Sequence, residues 1–279
     1  MQYDKVKRSL GHVFNRHPFF RKCFYGMLDV LLLRAWHIKK KLRQLVKTLP
    51  ADASVLDAGA GFGQYTYYLS KLGHRWHIKA VDIKAEQIDD CNRFFAQMGR
   101  NDRVFFETAD LTGFREPDKY HLAISVDVME HIADDTAVFG NICESLKPGG
   151  VLLISTPSDK GGSDTDHHHR RGSFIDEHVR DGYNAGEIHN KLIEAGFSQV
   201  DVNYTYGRPG HISWLLSMKY PMVMLGISKV FFILLPVYYL LLFPFCLLLN
   251  WWDVGTHHSS GTGLIVKAIK IISDSTANN

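Results

Sequence analysis

Residues 55–66 read VLDAGAGFGQYT: an apolar run ends in an acid, Asp57, and glycines stand at 59, 61 and 63. Glycine at every second position leaves a stretch of backbone without side chains. Such a stretch is wanted where the chain turns sharply and where a ligand must come close to the main chain. The pattern beyond the loop restricts the fold further. Apolar periodicity predicts strands at 54–59, 77–83, 103–110, 122–128, 151–158, 199–207 and 261–271. Between them it predicts helices at 65–73, 84–99, 137–150 and 184–197. Asn184 is a helix N-cap and Gly196 a helix stop. Strands alternating with helices imply an open, parallel sheet covered on both faces.

In a sheet of that kind a ligand sits beyond the carboxyl ends of the strands. An acid ending the second strand accepts hydrogen bonds from both hydroxyls of a ribose. Asp82, in AVDI, stands 19 residues after Gly63, close to the usual spacing of about 20. The loop departs from a dinucleotide site in two ways. The third glycine of that fingerprint is replaced by Gln64. Asp57 would also put negative charge near a pyrophosphate. A carboxylate there suits a cationic ligand without phosphate.

The series VLDAGAGFG, AVDI, TADL, SVDVMEHI and LKPGGVLLISTP, in this order over about residues 50–206, resembles the motif series of the class I S-adenosylmethionine-dependent methyltransferases. The resemblance implies an α/β, Rossmann-like, doubly wound and mostly parallel seven-stranded sheet, with its last strand near 263–272. It also implies S-adenosyl-L-methionine as the cofactor. Asp57, Gly59, Ala60 and Gly61 would lie at its methionine part, and Asp82 at the ribose hydroxyls with Ile83 beside it. Ala109, Asp110 and Leu111 would flank the adenine. Asp127 would sit by the methionine amine and the sulfonium. The chain then divides into a basic helical arm (1–50), a cofactor-binding core (51–206), a hydrophobic insertion (207–262) and a last core strand with a tail (263–279).

The acceptor is less defined. Transfer to an oxygen calls for a base, often histidine. The candidates are His131, His167, His168, His169 and His178, with His131, His168 and His178 foremost. His131, in VMEHIAD, resembles the EH of quinone-type O-methyltransferases. Consecutive His167–His169 cannot all face one site, so no metal centre is expected. The four cysteines have no CxxC spacing, which excludes a disulfide framework and a zinc site and points to a reducing compartment. The N-terminus lacks the pattern of a signal peptide. The fourth strand ends in SVDVMEH, without the proline pair of amino-methylating DNA enzymes, so a nucleic-acid acceptor is not favoured. Residues 157–183 form a long polar segment, of a length usual for a lid or binding loop.

Residues 212–252 carry two charges, Lys219 and Lys229, and no acid; 230–249 carry none. That is long enough to cross a bilayer, and a soluble core helix would need cover on every side. The run lies between two strands that pair in this fold, so the chain must leave and return on one side. Pro221, Pro236 and Pro244 interrupt it, which predicts a re-entrant or interfacial pair of helices at about 212–227 and 229–250. Trp214, Tyr220, Trp251 and Trp252 are placed as interface anchors. Residues 1–50 have a net charge of +10 against −7 for the rest, with helical spacing over 24–49. Such an arm suits anionic lipids of a cytoplasmic leaflet. The expectation is a monotopic enzyme on the cytoplasmic membrane face, acting on a lipophilic hydroxyl or carboxyl acceptor. The other readings are a soluble small-molecule or RNA methyltransferase, and a membrane-associated cofactor-binding protein without catalysis.

Overall fold

The computed structural model describes residues 17–161, 179–228 and 230–271. Seven strands form one sheet: β1 (Ser54–Ala58), β2 (His77–Asp82), β3 (Val104–Thr108), β4 (Tyr120–Val126), β5 (Leu146–Pro157), β6 (Phe197–Thr205) and β7 (Gly263–Lys270). Their order is β3-β2-β1-β4-β5-β7-β6. All pairs are parallel except those of β7, which runs antiparallel to both β5 and β6. Alternation along β1 shows why Val55, Leu56 and Ala58 are all apolar: Val55 joins the core on one face, and Leu56 and Ala58 the core on the other. A central parallel strand is buried on both sides and has no polar face.

Two helices precede the sheet, α1 (Pro18–Leu31) and α2 (Leu33–Leu45). The single helix expected over 24–49 is broken at Leu32, whose backbone is extended. Nothing local marks the break in LLLR. It is imposed by packing: α1 lies on the glycine loop, and α2 carries Ile38 and Leu42 into the sheet core. α1 also starts earlier than expected. Pro18 fits the first turn, and the His17 ring accepts from Phe19 N–H at 3.1 Å. Between the strands lie α3 (Gln64–Leu72), α4 (Ala85–Gln97), α5 (Asp135–Ser145) and α6 (Ala185–Glu194). α5 is shorter than predicted at its C-terminus. LKPGG belongs to β5 through an irregularity between the pairs Tyr120–Leu146 and Leu122–Val151.

Between β6 and β7 the chain forms a helical hairpin. Its first arm runs as α7 (Arg208–Trp214), a π-helical turn (Leu215–Lys219) and α8 (Tyr220–Ile227). The second arm is α9 (Phe231–Gly255). These bounds match the expected pair closely. α9 has 25 residues and is long and apolar enough to cross a membrane, yet little of it is buried in the protein. Pro236 and Pro244 lie inside it without ending it. Tyr238 and Tyr239 donate to the carbonyls of Leu216 and Ser217, at 2.7 and 2.8 Å, and lock the two arms together. The base of the hairpin is fixed by polar contacts. Asp253, fully buried, accepts from Gly210 N–H at 3.0 Å and lies 2.8 Å from His37 of α2 and 3.2 Å from His258.

Candidate cofactor and acceptor site

Gly59, Gly61 and Gly63 all adopt positive φ (87°, 52° and 80°). This conformation costs a side-chain-bearing residue, and glycine adopts it freely. At Gly59 a Cβ would also lie 2.3 Å from the Val128 side chain, so the loop can pass over the end of β4 only as glycine. The amides of Gly59 and Ala60 donate to Val81 O, both at 2.9 Å, which holds the loop to the end of β2. Asp82 accepts from Gly61 N–H at 2.8 Å and Lys84 N–H at 3.0 Å. A carboxylate has about four acceptor sites, so two amides fix Asp82 and leave capacity for two hydroxyls. Ile83 is exposed. Ala109 donates its amide to Asp82 O at 3.1 Å, Leu111 is buried, and Asp110 is held by the amide and hydroxyl of Thr112.

Asp57 is buried under the loop and accepts from Thr66 Oγ1 at 2.5 Å. Burial pushes its pKa up to about 7, against the pull of Thr66 and with a further rise from Asp82. A cation placed nearby would restore its charge. Asp127, at the end of β4, has φ 53° and forms an ion pair with Arg34 of α2. Burial works against the Arg34 charge; Asp127, with Tyr65 and Tyr206, more than offsets it, so the guanidinium stays charged. Arg34 N–H also donates to the Tyr206 hydroxyl at 3.0 Å, and Tyr206 has φ 54°. Two residues in a conformation that costs roughly 1–3 kcal/mol each thus sit at one place, as at many functional sites. Arg34 and the Tyr65 hydroxyl are buried side by side there and interact with each other. An anionic oxygen can accept from both.

An acid and a base pointed at one spot match the ammonium and carboxylate of an amino acid. Asp127 and Arg34 are so placed. The glycines, Asp82, Asp57 and this pair therefore fit S-adenosylmethionine, with its amino-acid end, sulfonium and ribose. Asp82 ends β2, where spacing put it, and Asp127 follows β4, where the resemblance put it. Spacing missed Arg34, which reaches the site from 93 positions earlier in the chain and counts in the sequence only as one charge of a basic arm. It also missed Tyr65, Tyr206 and Glu130. Glu130 is buried, accepts from Thr156 Oγ1 at 3.1 Å, and is pushed up to about 8 by burial and then by Asp127.

His131 ends the short 3₁₀ turn Met129–His131, part-buried, next to Glu130. Candidates His167, His168, His169 and His178 lie outside the described residues. The chain re-enters beside His131: Val179 N–H donates to Glu130 O at 3.0 Å, and Arg180 donates to Ile132 O and Ala133 O at 2.9 and 3.1 Å. Arg180 also pairs with Asp135, which accepts from the Tyr183 hydroxyl at 2.6 Å. The end of the long polar segment is thereby clamped at the edge of the site.

A family model described as a methyltransferase domain matches residues 33–202. The chain is 29% identical over 153 residues to a phosphoethanolamine N-methyltransferase of Triticum aestivum, covering 54% of this chain and 29% of that protein. It is 26% identical over 106 residues to a ubiquinone biosynthesis O-methyltransferase of Xanthomonas euvesicatoria, covering 38% of this chain and 44% of the relative. The chain thus spans less than half of either relative. Among solved structures, Haemonchus contortus phosphoethanolamine N-methyltransferase 2 in complex with S-adenosyl-L-methionine superposes with a TM-score of 0.58 at 18% identity, over 89% of this chain and 60% of that one. That likeness is one of fold.

Proposed function

The chain belongs to the methyltransferase-domain family, and we propose that it transfers a methyl group from S-adenosyl-L-methionine to a lipophilic, membrane-borne acceptor. When bound, the cofactor supplies an electrophilic methyl on a sulfonium. The protein's part is to hold and orient it and to accommodate the acceptor. Gly59 and Gly61 let the backbone approach, Asp82 takes the ribose hydroxyls, and Arg34 with Asp127 takes the amino-acid end. Asp57, pushed up to about 7 by burial, is held in its charged form by a cation next to it.

One observation carries the membrane part of this reading. The apolar hairpin is rooted at the site itself. It starts directly after Tyr206, whose hydroxyl contacts Arg34, and returns to β7 in the same sheet. Both ends of the hairpin are therefore on one side, which supports a monotopic or re-entrant seat on the cytoplasmic face. An acceptor dissolved in the lipid would reach the cleft along the hairpin. An oxygen acceptor is favoured, and His131, next to Glu130, is the candidate for taking its proton. The likeness to phosphoethanolamine N-methyltransferase favours a second reading, methylation of an amine on a lipid headgroup. Incubating membranes with methyl-labelled cofactor and resolving the extracted lipids by mass spectrometry tests both. Label on an ether or ester oxygen supports the first and label on nitrogen the second. Label on neither, with cofactor bound, defeats the proposal.

A further inference from the structure

Helix α1 has its polarity reversed. Its outward stripe is Phe19, Phe20, Cys23, Gly26, Met27 and Val30, at helical spacing and all exposed. Four of these are large apolar side chains, with Phe19 59% and Phe20 50% accessible. No charged residue lies on the stripe; Lys22, at its flank, is half-buried. The charges turn inward. Arg21 is buried and spends its donors on the protein: Nε on the Tyr25 hydroxyl at 2.7 Å, and its two terminal nitrogens on Asp90 O at 3.0 Å and Phe62 O at 2.8 Å. Asp29 accepts from Gln64 Nε2 at 2.9 Å and pairs with Lys39 of α2. A helix on a water-facing surface has the opposite arrangement. A helix lying in a membrane interface, with its apolar side in lipid, has this one.

We propose that the outer stripe of α1 is a second lipid-docking face, seated in the same bilayer as the hairpin. This rests on the membrane reading of the hairpin and assigns docking to an apolar stripe, where the sequence pointed only to the charge of the arm. The occupant is lipid because the stripe runs into the hairpin's root. Val30 O accepts from Trp36 Nε1 at 3.2 Å. Leu33, just beyond the break, packs so tightly on Gly210 at the start of α7 that a Cβ there would lie 2.5 Å from it. The start of α2 thus ties the end of the stripe to the root of the hairpin. Arg21, Arg34 and Lys39 of the arm bind protein groups. Docking by α1 is apolar. α1 also holds the glycine loop, since Arg21 and the Tyr25 hydroxyl both donate to Phe62 O. The lipid face and the cofactor loop are two sides of one helix.

Cys23 provides the probe, being exposed in the stripe while Cys91, Cys143 and Cys246 are buried. The full chain, labelled at Cys23 with an environment-sensitive dye, is mixed with phosphatidylcholine–phosphatidylglycerol vesicles carrying brominated acyl chains. The dye should shift to the blue and lose at least half its emission. Removing two apolar anchors with Phe20→Ser and Met27→Ser, both exposed, should lower vesicle partition at least tenfold with an unchanged thermal transition. The same dye at Trp251→Cys, in a Cys23→Ser background, reports the hairpin separately. Quenching at 251 but not at 23 overturns this inference and leaves the hairpin reading standing. Quenching at neither overturns both. A blue shift at Cys23 that grows with protein concentration without vesicles would make the occupant a second copy of the chain and overturn the lipid assignment.

Discussion

Individual side chains divide the labour at this site by charge. Asp82 is fixed by two amides, so under the proposed function replacing it with alanine removes the acceptor of the ribose hydroxyls. Charged hydrogen bonds are worth about 1.5–3 kcal/mol each, and Asp82→Ala should weaken S-adenosylhomocysteine binding by at least tenfold in calorimetry while the fold persists. Arg34→Gln should weaken it too, through the lost partner of the amino-acid carboxylate. Asp57 gives a pH dependence. Its pKa in the fold is raised to about 7, against about 3.9 in an unfolded chain. The folded protein therefore binds the extra proton, and the relative stability from this group is full below about pH 4 and lost as pH rises through about 7. Asp57→Asn should leave thermal stability unchanged near pH 4 and raise it at pH 8, by at most roughly 4 kcal/mol. Equal transitions of the two proteins at pH 8 would mean that Asp57 is not destabilised by burial. Asp57, Gly59 and Asp82 were legible because a turn and a ribose acceptor are local requirements with a fixed spacing. Arg34 and Tyr206 were not, because only the tertiary fold brings residues 34, 127 and 206 together.

At the scale of elements, α1 and the hairpin depart most from an ordinary member of this fold, and both are read through what they leave uncovered. The hairpin's two helices were visible in the sequence from length and lack of charge, whereas Pro236 and Pro244, read as interruptions, lie inside α9 without ending it. The break at Leu32 and the inward turn of Arg21 were not, since LLLR contains no breaker and a helix's orientation depends on what it packs against. α9 exposes Leu240 and Leu241 at 76% and 70%. Leu240→Glu with Leu241→Glu should abolish vesicle flotation without altering cofactor affinity, because neither side chain is part of the core. Retained flotation would show that α9 is not what meets the lipid. In α1, Tyr25→Phe removes a donor to Phe62 O, and the carbonyl keeps Arg21 as its partner. A loss of about 0.5–1.5 kcal/mol in stability is expected, with looser cofactor binding, read by chemical denaturation and calorimetry.

The whole molecule combines a sheet built to bind a cofactor with a surface built to leave water. β7 lies between β5 and β6, so the hairpin cannot cross a bilayer once and still deliver its last strand to the sheet. The cofactor site, the hairpin root and α1 lie together, which under the proposed membrane seating would set the methyl donor close to lipid. The most direct test supplies membranes with the full chain and with the Leu240→Glu, Leu241→Glu variant, each given methyl-labelled S-adenosylmethionine, and follows label in the organic and aqueous extracts. Methylation of a membrane-borne acceptor predicts label in an organic-soluble product with the native chain, and a loss of tenfold or more with the variant at equal cofactor binding. Label confined to water-soluble products, or equal lipid labelling by both proteins, would contradict it.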